Sequence, residues 1–223
     1  MAEASIKASG AVMYFDDAHI ALYVVPKAAC TSIKRLLAHT YMKPEDKPLH
    51  RMLGYKQSVH RLRDGGYRKG YFKIAICRNP WERAMSTYMD KVIEKKLGTR
   101  LESHGFYKGM SFYEFIQHLS QIPDFGSDKH IKSQYFTVFR DGPPDFLARV
   151  ETLGEDWKQI QRYFSERGGK TIPALGKLNS SLTKRPEWAK ETYELVTERY
   201  SKDIELLGYQ KEKEYGEYSQ TNF

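Results

Sequence analysis

Two short and almost wholly apolar segments constrain the fold of this chain more than any other feature. They read IALYVV at Ile20–Val25 and FKIAIC at Phe72–Cys77. Both are shorter than a typical buried helix, and both are bounded by polar or turn-forming residues. A run that is apolar at nearly every position is typical of a strand covered on both faces, as in parallel sheets flanked by helices. The sequence therefore predicts an α/β fold with these two strands at the centre of its sheet.

Each of these strands is followed by signals for a helix. After the first strand we expect a helix over about 31–39. After the second, Asn79, Pro80 and Glu82 stand at the N-cap, the first and the third helical positions, as in a capping box with the favoured proline. That helix is predicted to extend to about Lys96. Strands that alternate with helices predict a layered architecture with a mainly parallel sheet.

Weaker patterns complete the predicted order of elements. Ser111 and Glu114 form a second capping box, before a helix expected to end near Gln121. The length suits one domain, with a core over about 11–209 and a polar tail over 210–223. The other predicted elements are a hairpin strand at Ala11–Phe15, strands at Tyr135–Phe139 and Phe146–Val150, and helices at Thr152–Phe164 and from Pro186 to Gly208.

The composition excludes several classes of protein. An apolar fraction of 40% with 13% aromatic residues is too high for a disordered or collagen-like chain. No apolar run reaches the roughly 18–20 residues of a membrane helix, and the first residues, MAEASIKASG, resemble no signal peptide. Two cysteines cannot form a disulfide framework, so we expect a cytoplasmic protein. The net charge of +8 favours anionic partners.

The loop after the first strand has the chemistry of an anion site. Its small residues let the backbone approach a ligand, and the following helix start presents unpaired N–H groups. A lysine adds a full positive charge, and two hydroxyls add donors. It is not a Walker A loop, because the glycines and the terminal Gly-Lys-Ser/Thr are missing. The residues are Pro26, Lys27, Ala28, Ala29, Cys30, Thr31 and Ser32.

The second strand is also followed by side chains that favour binding of an anion. Arg78 directly precedes the capped helix, so its guanidinium can fork onto a phosphate near that helix start. Ser86 lies about two turns into the helix, where its hydroxyl could reach the same anion. A salt bridge from Arg78 to Glu82 or Asp90, and a packing role for Ser86, are the alternatives without a ligand.

Both motifs together resemble a known family. PKAACTSIK and CRNPWERAMSTYMDK are similar to the two nucleotide-binding motifs of sulfotransferases, in particular the carbohydrate branch with the HNK-1, chondroitin and dermatan enzymes. Three later segments, Ala148–Trp157, Leu178–Ser181 and Asp203–Tyr209, resemble further segments of that branch in the same order. Asparagine stands at position 79 where the family more often has aspartate, although both residues cap helices well.

The resemblance implies a fold, a donor and roles for individual residues. The fold would be a three-layer sandwich like that of the P-loop NTPases, and the donor 3′-phosphoadenosine 5′-phosphosulfate (PAPS), with no metal required. Lys27 would stabilise the leaving phosphate, while the backbone of Ala28–Thr31 and the Thr31 and Ser32 hydroxyls would hold the 5′-phosphate. The residues implied at the 3′-phosphate or elsewhere near the nucleotide are Arg78, Ser86, Asn179 and Ser180.

The resemblance also directs the search for a general base and an acceptor site. His60 lies between the two motifs, where related carbohydrate enzymes carry a catalytic histidine, and an imidazole suits a base near neutral pH. His50 and Glu151 are the alternatives. In the segment DKHIKSQ, the residues expected to contact a carbohydrate or another hydroxyl acceptor, which the net charge favours as anionic, are His130, Lys132 and Gln134.

Two features depart from the secretory relatives, and two other functions stay open. We expect no N-terminal anchor, and the chain lacks the cysteines many of those relatives use, so we expect a microbial or viral protein. A P-loop-type kinase using ATP would require a Gly-Lys-Ser/Thr loop and an acidic strand end. A basic module binding RNA or another polyanion would account for the charge, but no RNA-recognition signature is present and nucleic acid is not expected.

Overall fold

A computed structural model describes residues 6–9, 12–41, 70–94, 97–176 and 184–210 of the chain. Its five strands form one sheet in the order in which they follow along the sequence. The strands are β1 (Ile6–Ser9), β2 (Val12–Phe15), β3 (Ile20–Val24), β4 (Phe72–Cys77) and β5 (Phe146–Arg149).

Strand pairing divides the sheet into two halves. β1, β2 and β3 pair antiparallel, with Val12 opposite Tyr23 across the predicted hairpin. β3, β4 and β5 pair parallel, with Val24 beside Ile76. The two apolar runs are thus strands, as predicted, and the structure pairs them in parallel, but a mainly parallel sheet is wrong for the described residues. β1 was not predicted because its sequence, IKAS, contains no apolar run.

Eight α-helices, one π-helical segment and one 3₁₀ turn are present in the described ranges. The π-helical segment, Met89–Glu94, directly continues the second helix, and the 3₁₀ turn covers Val150–Thr152. The helices are α1 (Cys30–Tyr41), α2 (Pro80–Tyr88), α3 (Thr99–Ser103), α4 (Phe112–Gln121), α5 (Tyr135–Val138), α6 (Leu153–Glu166), α7 (Lys190–Arg199) and α8 (Ser201–Leu206).

Two predicted elements differ from the structure. The strand predicted at Tyr135–Phe139 is the short helix α5, and the Tyr135 N–H is bonded to the Asp203 carboxylate instead of a neighbouring strand. Aromatic and β-branched residues favoured a strand there, but this long-range contact takes the backbone out of any ladder. The long helix predicted from Pro186 starts at Lys190 and is interrupted at Tyr200.

The described residues divide into two compact units. The sheet unit contains those from Met1–Cys77 and Thr137–Asn179, and the helical unit those from Arg78–Phe136 and Ser180–Phe223. In the sheet unit, α6 packs Phe164 edge-on against Phe15 of β2, with ring centroids 4.9 Å apart. In the helical unit, the Trp81 ring stacks on Tyr193 at 4.8 Å. Each unit has its own apolar core, and a single domain over the whole chain stays a prediction.

Candidate functional site

The sheet register places the ends of the two central strands side by side. β3 and β4 run parallel, and Val24 pairs with Ile76, so both strands end at the same edge of the sheet. The loop Pro26–Ala29 continues from β3, and Arg78 is the next residue of the chain after β4. Ligands of open α/β sheets bind beyond the carboxyl ends of the strands. The sequence motifs therefore start where such a fold would hold a ligand.

The loop after β3 has an unusual backbone. Of the described residues other than glycine, three have a positive φ, and two lie in this loop: Lys27 at 71° and Ala29 at 54°. A left-handed conformation costs roughly 1–2 kcal/mol for a residue with a side chain. Ala28, between them, is fully buried and donates its N–H to the Val25 carbonyl at 3.1 Å. The bend is thus held by packing and hydrogen bonding without any glycine.

A helix start follows this bend directly. The first α-helical hydrogen bond of α1 runs from the Ile33 N–H to the Ala29 carbonyl at 3.1 Å. The N–H groups of the preceding first turn have no acceptor within the helix, and they carry the positive end of the helix dipole. The Thr31 side chain is exposed and Ser32 is half-buried. A bent backbone followed by free helical N–H groups is a favourable environment for a phosphate or sulfate.

In the helical unit, the backbone of Arg78 is held on both sides by Gln134. The Arg78 N–H donates to Gln134 Oε1 at 2.9 Å, and Gln134 Nε2 donates to the Arg78 carbonyl at 2.6 Å. Gln134 is fully buried. Both ends of its amide are therefore engaged, so in this structure Gln134 is a positioning residue for Arg78 and does not present its amide to an acceptor.

The start of α2 concentrates positive charge. Asn79 caps the helix, its side-chain oxygen accepting from the N–H groups of Trp81 at 3.0 Å and Glu82 at 3.1 Å. The Glu82 carboxylate oxygen Oε2 contacts Arg78 at 3.2 Å and Arg185 at 2.8 Å. Two guanidiniums that share one carboxylate leave a net positive charge beside the helix N-terminus. Sequence reasoning anticipated the Arg78–Glu82 pair but missed Arg185, because Pro186 was treated only as a helix start.

The segment of the predicted acceptor residues is tied firmly to α2 and α8. The Arg83 guanidinium donates to the Lys129 carbonyl at 3.3 Å, and the Thr87 hydroxyl to the His130 carbonyl at 3.1 Å. Asp203 is fully buried and accepts the N–H groups of Gln134 and Tyr135, both at 2.8 Å. These contacts hold the backbone around His130 against α2, the helix that also carries the half-buried Ser86.

The side chains of His130 and Lys132 in that segment differ in their contacts and exposure. His130 Nδ1 lies 2.6 Å from the Asp128 carboxylate, and 18% of the His130 side chain is exposed. Burial lowers the pKa of His130 below its usual value, against the opposing effect of Asp128. The Lys132 ammonium lies 5.8 Å from the centre of the Phe136 ring, and that ring is exposed.

Several predicted site residues fall outside this description. His50, His60, Asn179 and Ser180 lie outside the described residues. Glu151 is described, and it is half-buried in the 3₁₀ turn before α6.

Neither a metal-binding cluster nor a membrane-spanning helix occurs among the described residues. Within these ranges no group of three histidine, cysteine, aspartate or glutamate residues could hold a metal ion. None of the described helices is long and apolar enough to cross a membrane.

Comparison with known proteins identifies the relatives of the chain. The model of the sulfotransferase family matches residues 11–210, which include both motif loops and α8. The chain belongs to the sulfotransferase family. This family match confirms the resemblance drawn from the two motifs.

The chain is also similar to two curated relatives. Carbohydrate sulfotransferase 11 of Rattus norvegicus and that of Mus musculus are each 25% identical to it over 201 residues. The alignments cover 73% of this chain and 55% of each relative, so the chain spans about half the length of those proteins. No solved structure matches it significantly.

Proposed function

We propose that this protein transfers a sulfuryl group from PAPS to a hydroxyl group of a carbohydrate. The observation that carries the proposal is the loop after β3, where Lys27 occupies a left-handed bend directly before the start of α1. Family membership supports the reaction class, and the carbohydrate acceptor is proposed from the two relatives, both carbohydrate sulfotransferases. The residues present fit such a donor, because they offer oriented N–H groups, hydroxyls and a lysine to an anion.

The loop residues would act at the 5′ end of the donor. The first-turn N–H groups of α1, with the hydroxyls of Thr31 and Ser32, bind and orient the 5′-phosphate. The Lys27 ammonium stabilises the charge that develops on the bridging oxygen as the sulfur–oxygen bond to the phosphate breaks. As in phosphoryl transfer, the protein contributes mainly positioning and electrostatic stabilisation.

The start of α2 would act at the 3′-phosphate. Arg78 offers a planar fork of donors that matches a phosphate, and Ser86 offers a hydroxyl from the same helix. Gln134 supports this role, since it fixes the backbone from which the Arg78 side chain extends. Asn179 and Ser180 are proposed near the nucleotide on the resemblance alone.

The acceptor would meet positively charged residues. The net charge of +8 favours an anionic carbohydrate, and the predicted acceptor segment contains two described lysines, Lys129 and Lys132. In the in-line reaction, the acceptor oxygen forms a bond to sulfur while the bond from sulfur to the bridging oxygen breaks. The acceptor proton requires a base, for which His60 was the first prediction.

A binding experiment tests the donor before any acceptor is known. The wild-type protein is heated with 3′-phosphoadenosine 5′-phosphate (PAP), the donor without its sulfuryl group, and separately with ATP and magnesium. A ligand at 100 times its Kd stabilises by about 2.7 kcal/mol. For a chain of this size the Tm should rise by about 5–10 °C with PAP. A rise with ATP alone would replace the proposal with a kinase, and no rise with either would favour a non-enzymatic binding module.

Variants then assign the site. Lys27→Ala and Arg78→Ala should abolish most transfer of labelled sulfate from PAPS to a desulfated glycosaminoglycan, and Arg78→Ala should also reduce the Tm rise with PAP. Lys158→Ala and Arg100→Ala are matched controls, since both remove exposed cations. Near-normal turnover in Lys27→Ala or Arg78→Ala would contradict the residue assignment.

A further inference from the structure

Asp128 and His130 form a pair with the geometry of an oriented base. The Asp128 oxygen Oδ1 lies 2.6 Å from His130 Nδ1 and also accepts the His130 backbone N–H at 2.8 Å. Although burial opposes it, these hydrogen bonds hold the pKa of Asp128 below its usual value, so the carboxylate is ionised and can only accept. Nδ1 must therefore carry the proton, which leaves the lone pair of the neutral ring on Nε2.

The second ring nitrogen is available to a ligand. Among the described residues, His130 Nε2 has no hydrogen-bond partner. The buried side-chain atom without a partner in these residues is Arg199 Nε, so His130 Nε2 is not a buried atom. With 18% of the side chain exposed, Nε2 can be reached from solvent. An imidazole with one nitrogen fixed by a carboxylate and the other open is the arrangement that general bases share across unrelated enzymes.

The pair is also linked by hydrogen bonds to Arg78, the residue proposed to bind the donor. The Thr87 hydroxyl shares its proton between the Arg83 carbonyl at 3.0 Å and the His130 carbonyl at 3.1 Å. Gln134, four residues after His130 in the chain, holds the Arg78 backbone. Contacts at both points fix the His130 segment against α2 within the helical unit. A base must be held in place, and this anchoring fixes His130 relative to Arg78, the residue proposed to bind the 3′-phosphate of the donor.

We infer that His130 is the general base that deprotonates the acceptor hydroxyl, with Asp128 as its positioning residue. The inference rests on the proposed function. Nε2 takes the hydroxyl proton as the acceptor oxygen bonds to the sulfur of PAPS. The electron pair of the breaking sulfur–oxygen bond goes to the phosphate, which leaves as PAP. The imidazolium then returns its proton to solvent. His60, which lies outside the described residues, is the competing base.

Charged neighbours determine how this base titrates. Burial lowers the pKa of His130, Asp128 raises it, and Lys91 of the π-helical segment and Lys129 lower it. The net pKa lies below the usual value near 6.5, so the ring is neutral and able to accept a proton at physiological pH. Turnover should fall on the acid side as this ring becomes protonated.

Matched variants separate catalysis from binding. In His130→Gln we expect kcat to fall by about 100-fold or more, the usual scale of general-base catalysis. The Tm rise with PAP should stay within about 1 °C of that of the wild type. His118→Gln, which replaces an exposed histidine of α4, is the control and should keep wild-type turnover. Equal turnover in His130→Gln and wild type, with a large loss in His60→Gln, would assign the base to His60 and overturn the inference.

Asp128→Asn gives a test that a purely structural role would not pass. Because the carboxylate raises the pKa of His130, its removal should move the acid limb of the rate profile to lower pH and reduce kcat. The same shift should appear when the His130 ring is titrated by NMR, with or without PAP. A lower rate with an unmoved acid limb and an unmoved NMR titration would overturn the inference. If the wild type neither binds PAP nor transfers sulfate, the proposed function itself fails.

Discussion

Gln134→Leu is expected both to lower the stability of the protein and to weaken donor binding, because the Gln134 side chain holds the backbone of Arg78, the residue proposed to bind the donor. The substitution keeps roughly the volume of a fully buried side chain but removes both hydrogen bonds to the Arg78 backbone, at 2.9 and 2.6 Å. Each Arg78 group left without its partner costs on the order of 1 kcal/mol or somewhat more. The free energy of unfolding should therefore fall by about 2–3 kcal/mol.

The loss should be visible in two assays. For a chain of this length, the Tm should drop by about 4–12 °C in thermal unfolding followed by circular dichroism. Isothermal titration should show PAP binding weakened by about tenfold, a step worth about 1.4 kcal/mol, because Arg78 no longer has a fixed backbone.

Gln117→Leu is the matched control for these measurements. Gln117 is exposed on α4, so the same substitution there should change neither Tm nor PAP affinity. If Gln134→Leu unfolds at the temperature of the control and binds PAP equally well, the two hydrogen bonds contribute nothing, and Gln134 does not position Arg78.

Three further perturbations follow from the described contacts. Lys27→Gly should have a free energy of unfolding about 1 kcal/mol above that of Lys27→Ala in urea titrations, since glycine relieves the left-handed strain, while both variants lose sulfate transfer. Asp203→Ala should lower the unfolding free energy by about 2–4 kcal/mol by freeing two backbone donors, whereas exposed Glu205→Ala should not. Burial opposes ionisation of Asp124, yet the Arg199 and Ser133 hydrogen bonds hold its pKa below the usual value. Its stabilisation is thus present above about pH 4 and lost as the pH falls, so wild type and Asp124→Asn should differ less at pH 3 than at pH 7.

Local sequence patterns were sufficient for the elements that place the motif loops. β3 and β4 could be identified because a strand that is buried on both faces needs an apolar residue at nearly every position. The Asn79 cap could be identified because a cap bonds only to the next few residues of the chain. Ser111 and Glu114 likewise form the predicted capping box. The Tyr135–Phe139 segment was predicted wrongly because its fate depends on Asp203, a residue distant in sequence. Such long-range contacts leave no trace in a short window of sequence.

In the candidate site, too, local features could be predicted from the sequence and long-range contacts could not. Pro26–Ser32 and Arg78 could be predicted as an anion site from residue types, since small residues, hydroxyls and cations before a helix indicate an anion. The role of Gln134 could not be found, because an amide that holds a backbone looks the same in sequence as one that contacts a ligand. The Asp128–His130 spacing was visible in the sequence, but only the structure shows that the two side chains are 2.6 Å apart.

In glycine-rich phosphate loops, the residues that turn the backbone have no side chain, so curvature and charge belong to different positions. Here Lys27 supplies both, and the direction in which its side chain leaves the backbone is set by the turn itself. The position of the ammonium therefore depends on the bend of the backbone. Moving the lysine by one residue, or flattening the turn, would redirect the ammonium. An attempt to graft this loop onto another scaffold, or to widen it for a larger donor, would have to carry the backbone angles along with the sequence.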